Sequence, residues 1–508
     1  MTRGELLAAL SLACDVGMAM PLQSGIGTAL VARYLARALG LEDLDRVHDL
    51  ALLQHIGCTA ATPTVADALG DEMVMREHAG LLDFSSRRSM AAFLVGHVGR
   101  TTQPLGRPAA LVKAMAGGSK VMASAASVCE AAAHLGQRCL LGDQVVSDLS
   151  FVYETWHGRG VPNGVGGDAI PVSVQVVQVA GLAVLAHSAG GAALVRDLVA
   201  QRAGGALAPA PAEVLLADPD RALEALAAPD LWTAAVAHDT AELSGDEVDE
   251  VLRALGDFAD LKAPCFAGSA PGVAALAARA AEEAGLSEPD VAVVRRAGWL
   301  HDVGRVSITS ALWQKPGPLS ADEWERVRLH PYQLGRVFDR VTGLAEVVAV
   351  AAGHHERADG HGYPTGQPSS GMPLTARILA AADVLHALTR DRPHRPGLAL
   401  DDAALVLREE AASGRLDSRS VDAVLVAAGM QPATPAASPG GLTARELEVT
   451  RLAAGGLSIK QVARRLDIAP KTVDGHLQRV YAKVGVQTRT GLTLWAVQHD
   501  LVLGEISP

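Results

Sequence analysis

Residues 354–364 read HHERADGHGYP: two adjacent histidines and an acid, then Gly360, Gly362 and Pro364 crowded around one more histidine. The surrounding chain raises the same puzzle elsewhere. His301 and Asp302 stand in WLHDVGR, His330 in RLHPYQLG, and Asp383 in ILAAADVLHALT, each inside or beside an apolar helical pattern. An unpaired charge is costly to bury in such a place. A bound metal removes that cost. Neighbouring side chains on a helix diverge by about 100°, so an HD or HH pair reaches two adjacent ions more easily than one, with a carboxylate bridging them. A His/Asp set without thiolate suits Fe, Mn or Zn, and two such ions suit hydrolysis of a phosphoester.

The bulk of the sequence fits a helical body around that site. At 508 residues the chain is too long for one core, so several domains are expected. Hydrophobic residues make up 49% and aromatic residues 3%, with Ala, Leu and Val abundant and no sustained period-2 alternation, which predicts an all-α fold. Five scattered cysteines without a CxxC argue against a disulfide framework or a zinc knuckle, and for a reducing, cytoplasmic address. The N-terminus lacks the features of a signal peptide. The apolar run from Ile170 is interrupted by Ser173, Gln175, Gln178 and His187, so it is expected as a buried helix, with no membrane partner.

Two segments repeat. ALLQHIGC at 51–58 resembles GWLHDVGR at 298–305, and WHGRGVPNGVGGDAIPVSVQVVQVAG at 156–181 resembles ADGHGYPTGQPSSGMPLTARILAAAD at 358–383. Pro162 and Pro364 are 202 residues apart, as are Gly181 and Asp383. Two helical units of similar plan are therefore expected, at 1–220 and 263–430, with a helical connector at 221–262. A Pro/Ala/Gly-rich linker at 431–441 then leads to a last segment, 442–508.

The stretch from about 263 to 430 resembles an HD-GYP domain, a subset of the HD metal-dependent phosphohydrolases, many of which open cyclic di-GMP. HD at 301–302, HP at 330–331, HHERxDGxGYP at 354–364 and the Asp at 383 follow the family's order. The resemblance implies that His301, Asp302 and Asp383 face one divalent metal ion, while Asp302, as bridge, faces a second with His330, His354 and His355. Asp302 and Arg305 would be catalytic; Gly360, Gly362, Tyr363 and Pro364 would form the pocket rim. This chain departs from the family pattern at three places: Ser269 stands where the first ligand His is expected, Arg305 where a Lys follows HDxG, and His386 where an Asp is usual. In the first unit Gln54 and His55 replace HD, Val152 and Tyr153 replace HH, and Gly181 replaces the last Asp. That unit is a degenerate HD-like copy, unable to build the same site.

Residues 442–490 carry nine basic and four acidic residues in a chain whose net charge is −12. Such a local reversal suits phosphate binding. Val462, Leu466, Ile468, Val473, Leu477 and Val480 fit two helices joined by a short turn, with Pro470 in the first turn of the second and Ala469 offering no side-chain cap. LTxRELEV, GLSxKxVAxxL and PKTVxxHLxxVYxKxGVxxR resemble the LuxR-type DNA-binding domain. By that resemblance Lys460, Lys471, Thr472, Val473, His476 and Arg479 contact DNA, and the chain binds as a homodimer. The expectation is a regulator in which an HD-GYP-like phosphohydrolase, acting on a phosphodiester such as a cyclic dinucleotide, is joined to a DNA reader. The alternative is a catalytically silent HD domain serving as nucleotide or metal sensor, or as dimerisation platform.

Overall fold

In the computed structural model the described residues are 1–83, 86–99, 106–431, 439–499 and 501. They divide into two compact units, Met1–Gly429 and Met430–Pro508. Regular structure among them is helical; the only extended pairings are isolated bridges such as Thr2 with Glu242. Of the linker expected at 431–441, residues 432–438 lie outside the described residues, and Pro439–Gly441 make a single tight turn.

The first unit contains one plan twice. Arg3–Gly17, Ser24–Ala38 and Leu44–Leu53 pack on one another, as do Gly245–Asp260, Ser269–Glu283 and Glu288–Leu300. In each trio a buried aspartate near the end of the first helix caps the second. Asp15 accepts from the Gly25 amide at 3.1 Å, and Asp260 from the Ala270 amide at 2.9 Å. A carboxylate there satisfies an orphan N–H and complements the helix dipole. The residue before each second helix, Gln23 or Gly268, has left-handed φ of 71° or 75°. The later loops match as well: Glu154 accepts from the Asn163 and Gly164 amides, and Glu356 from those of Thr365 and Gln367. The Val161–Pro162 and Tyr363–Pro364 peptides are both cis.

The helices after these loops are Val172–Arg202 and Leu374–Thr389. The former is the one described helix long and apolar enough to cross a membrane, and 61% of its most apolar window is buried inside the unit. Its geometry breaks at Gly190 and Gly191. The segment expected as connector is helical in short pieces, and its last helix, Gly245–Asp260, packs on Ser269–Glu283 and Glu288–Leu300.

In the second unit Ala444–Ala454, Ile459–Arg465, Pro470–Val484 and Arg489–Gln498 close over a core that includes Val449, Val462, Val473, Leu477, Val480 and Leu492. Capping boxes start two of the helices, Thr443 with Glu446 and Ser458 with Gln461. Ala469 makes no side-chain cap, and Pro470 takes the first turn, where a missing N–H costs nothing. Gly485 ends the Pro470–Val484 helix in left-handed conformation, φ 72°.

Candidate functional site

Five of the six polar residues singled out in the apolar runs are buried, and His355 is half-buried. His301 and Asp302 follow the Glu288–Leu300 helix, His330 opens His330–Phe338, His354 and His355 leave Ala345–Ala352, and Asp383 lies within Leu374–Thr389. The fold gathers them into two triads, His330/His354/His355 and His301/Asp302/Asp383; within each, one potential ligand atom per residue lies within 4.8 Å of the others.

The hydrogen bonds fix which atoms face inward. The Nδ1 atoms of His301, His330 and His354 lie 2.8, 2.7 and 2.7 Å from the carbonyl oxygens of Gly298, Val327 and Ala351. A carbonyl only accepts, so each Nδ1 carries a proton, and each Nε2 is the nitrogen that faces inward, toward a metal ion or a second proton. The Nε2 atoms of His330 and His354 are 3.2 Å apart, and Asp302 Oδ1 is 3.5 and 3.6 Å from them. On the other side of the same carboxylate, His301 Nε2 is 2.8 Å from Asp302 Oδ2 and 3.6 Å from Asp383 Oδ1. Yet His301 Nε2 and both Asp302 oxygens lack a well-directed hydrogen bond. Lone pairs converging in a buried space repel one another unless a cation lies among them. Imidazole nitrogen and carboxylate oxygen are donors suited to a divalent first-row ion, so the residues fit a metal.

The electrostatics agree. Burial lowers His301, but Asp302 and Asp383 outweigh it and push its imidazole up to about 10. Burial would raise Asp302; Arg305 and His301 overcome this and hold it well below the usual carboxylate range. Burial takes His330 down to about 4, and holds His355 well below its ordinary value with help from His354 and His330. One side of the pocket thus attracts positive charge while the other keeps neutral imidazoles.

Around the triads the predicted rim takes shape. Gly360 has φ 79°, and a Cβ on Gly362 would fall 2.3 Å from the Arg357 amide nitrogen, so no side chain fits there. Tyr363 lies against His355 with ring centroids 4.7 Å apart, and Pro364 follows it. Arg305 is buried, pairs with Asp302 Oδ2, and sits 4.4 Å over the Phe266 ring. Ser269 is buried and its Oγ has no hydrogen-bond partner. His386 lies where a Cβ on Gly272 would meet its Nε2 at 2.4 Å, so the glycine makes room for the larger ring.

Several residues here were not among those expected from the sequence. A cavity of about 380 Å³ beside His355 is lined by Trp324, Arg328, Arg357, His361 and Tyr363 among others. Arg357 Nη1 is buried without a partner. Arg392 also lies over the Phe266 ring, 5.0 Å from its centroid, and burial together with the charge of Arg305 lowers its guanidinium from the ordinary value. Arg357 lies inside the HHERADGHGYP stretch, Arg328 opens RLHPYQLG and Arg392 stands in ALTRDRPHRP, the block that follows Asp383; Trp324 lies in none of these motifs.

In the second unit Lys460, Lys471, Thr472 and Arg479 are exposed and His476 is half-buried. Val473, expected among the DNA contacts, is fully buried with Val462 and Leu477 in the core. It therefore packs the helix and does not reach DNA. Arg479 bonds His476 Nδ1 at 3.0 Å and lies 3.6 Å from Glu446, to which Lys483 also pairs at 2.6 Å.

Residues 253–420 match the HD domain family, and residues 441–496 match the family of bacterial regulatory proteins, luxR family. The chain thus carries an HD domain followed by a luxR-type DNA-binding domain: a DNA-binding regulator with a phosphohydrolase domain of a metal-dependent family. Among curated proteins it is 25% identical over 419 residues to the 3'3'-cGAMP-specific phosphodiesterase 3 of Vibrio cholerae, covering 80% of this chain and 90% of that protein. It is 39% identical over 155 residues to the cyclic di-GMP phosphodiesterase response regulator RpfG of Xanthomonas campestris, 30% of this chain and 40% of that one. Among solved structures, a cyclic GMP-AMP specific phosphodiesterase of V. cholerae, V-cGAP3, shares the fold with a TM-score of 0.57 at 22% identity, over 85% of this chain and 99% of that one.

Proposed function

We propose that this protein is a cytoplasmic, homodimeric transcriptional regulator whose HD domain hydrolyses a cyclic dinucleotide with two divalent ions, of Fe, Mn or Zn type. The chain is read as a degenerate HD-like body at 1–220, an HD-GYP-like body that starts with Gly245–Asp260, inside the segment expected as connector, and runs to 430, and a DNA reader at 442–508. The observation that carries the reading is the convergence of the His330 and His354 Nε2 atoms on Asp302 Oδ1, with His301 on the other side of the same carboxylate. Asp302 would bridge; His301 and Asp383 would complete one site, and His330, His354 and His355 the other. Ions bound there supply Lewis acidity for attack of water on phosphorus.

The protein's own groups do the rest. Arg305 and Arg392, both beside Phe266, offer guanidinium groups for phosphate oxygens. Trp324 and Tyr363, at the mouth by His355, offer flat faces for a base. Hydrolysis forms one P–O bond from water, breaks one ester P–O bond, and hands a proton to the departing hydroxyl, so a ring-closed substrate leaves as a linear dinucleotide. Incubating metal-loaded protein with cyclic di-GMP and with 3'3'-cGAMP, followed by chromatography of the products, tests the reading. Both relatives' names support the substrate class; absence of any linear product from either would overturn it.

Ser269 favours a second reading, a nucleotide or metal sensor, because one site lacks an imidazole. Ser269→His separates the two. A hydrolase limited by weak metal binding gains metal content and turnover, by roughly the 10–100-fold that supporting groups contribute to affinity. A sensor gains metal without turnover. In the DNA reader, Lys460→Ala should weaken binding to all sequences alike and reduce the salt slope of log K by about 1, measured by titration at several salt concentrations. An unchanged slope would remove Lys460 from the phosphate contacts.

A further inference from the structure

The first copy of the plan holds a cavity of about 420 Å³ where the second copy holds its triads. Gln54, His55, Tyr153 and Gly181, the counterparts of His301, Asp302, His355 and Asp383, all line it. Exchange of an aspartate for Gly181 leaves space: a Cβ built there meets nothing nearer than the Gln54 amide at 3.7 Å. Most of the remaining wall is apolar, including Val65, Met122, Val128, Leu182, Leu185 and Leu207. That volume falls within the roughly 300–1,000 Å³ of small-molecule sites, which are apolar with a few placed polar groups.

The polar groups specify the head of a ligand. Glu154 is 1% exposed; its Oε1 accepts two backbone amides, but its Oε2 is buried with no partner. In the second copy the equivalent oxygen of Glu356 accepts from the Gln367 amide. Glu154 therefore lacks one donor. Arg76 has the opposite need. Its guanidinium bonds only the Gly17 and Cys58 carbonyls and the Thr62 hydroxyl, with no acid paired to it among the described residues. The described charged residues of the wall balance, Arg76 and Arg202 against Asp83 and Glu154. A head with both donor and acceptor atoms but no net charge matches this set better than an anion or a cation, because a net charge would face an equal number of like charges.

We propose that this cavity is a binding site for an uncharged amphipathic small molecule, apolar in its body and carrying one hydrogen-bonding head, and that the degenerate copy is a ligand-binding input rather than a spent catalytic domain. One wall is the Arg107–Arg138 helix, whose Arg138 pairs with Glu250 and Asp257 on the helix that opens the second plan. The site and the HD body are thus parts of one packed unit.

Two dyes of one shape test it with the full-length protein. N-phenyl-1-naphthylamine is neutral with a single N–H donor; 8-anilino-1-naphthalenesulfonate adds a negative charge to the same body. Fluorescence titration should give one neutral dye per chain and at least tenfold weaker binding of the sulfonate. Gly181→Leu, which fills the space from one wall, and Ala125→Phe, which fills it from another, should each weaken the neutral dye at least tenfold. Thermal midpoint and metal content should stay at the wild-type values, which separates loss of the cavity from loss of the fold or of the HD site. Equal binding of the two dyes, or neutral-dye binding unaltered in both folded variants, would overturn the proposal.

Discussion

Asp302→Ala is expected to abolish phosphodiester hydrolysis and to lower metal affinity by at least about 100-fold, more than loss of a supporting group does. The reason is position. Asp302 stands closest between the triads, with Oδ1 3.5 and 3.6 Å from His330 and His354 and Oδ2 2.8 Å from His301, whereas Asp383 reaches across only to His355, at 3.9 Å. Removing it leaves two incomplete donor sets and takes the partner from the buried Arg305. The loss of a charge partner can also destabilise the fold, by about 3–5 kcal/mol for a buried pair. Asp302→Asn keeps the shape and removes the charge, so it separates ligand loss from collapse. Elemental analysis of purified protein and chromatography of products read both effects. Full metal content with wild-type turnover in a folded Asp302→Asn variant would exclude the bridging role.

How much of this could be read from the chain alone depends on what each residue does. The triads were legible because polar residues in apolar helical runs need a reason to be there, and His301, Asp302, His330, His354, His355 and Asp383 share one. Their tautomers were not: the Nδ1 contacts go to the carbonyls of Gly298, Val327 and Ala351, and backbone partners have no sequence signature. Trp324 was missed since tertiary packing alone brings it to the site. Val473 was misassigned although the signal was present. Positions 473, 477 and 480 repeat at helical spacing and mark the face turned to the core, which a reader of DNA cannot also present. The duplication was visible in two segments, 51–58 against 298–305 and 156–181 against 358–383, but the matching caps made by Asp15 and Asp260 emerge only from the fold.

Breaking the buried pair Glu72–Lys262 should give the largest loss of stability in the first unit. The two side chains have no solvent exposure and stand 3.1 Å apart, from segments 190 residues distant in sequence. Lys262 also donates to the Val306 carbonyl at 2.9 Å, while Glu72 accepts from the Ser310 amide at 2.7 Å and from the Thr309 hydroxyl. Burial outweighs the pull of Glu72 and pushes the ammonium down to about 8, so it is still charged at neutral pH. Lys262→Met leaves Glu72 as an uncompensated buried carboxylate, and Glu72→Leu leaves the ammonium; each is expected to cost about 3–5 kcal/mol. The double change Glu72→Leu with Lys262→Met should recover most of that, because neither variant side chain needs a partner. Denaturant titration of all four proteins measures it. The pair clamps residues 306–310, which begin four residues after Asp302, so metal content should fall in each single variant and return in the double one. Single variants within about 1 kcal/mol of wild type, or a double variant that loses the sum of both, would show that the pair does not bind these segments together.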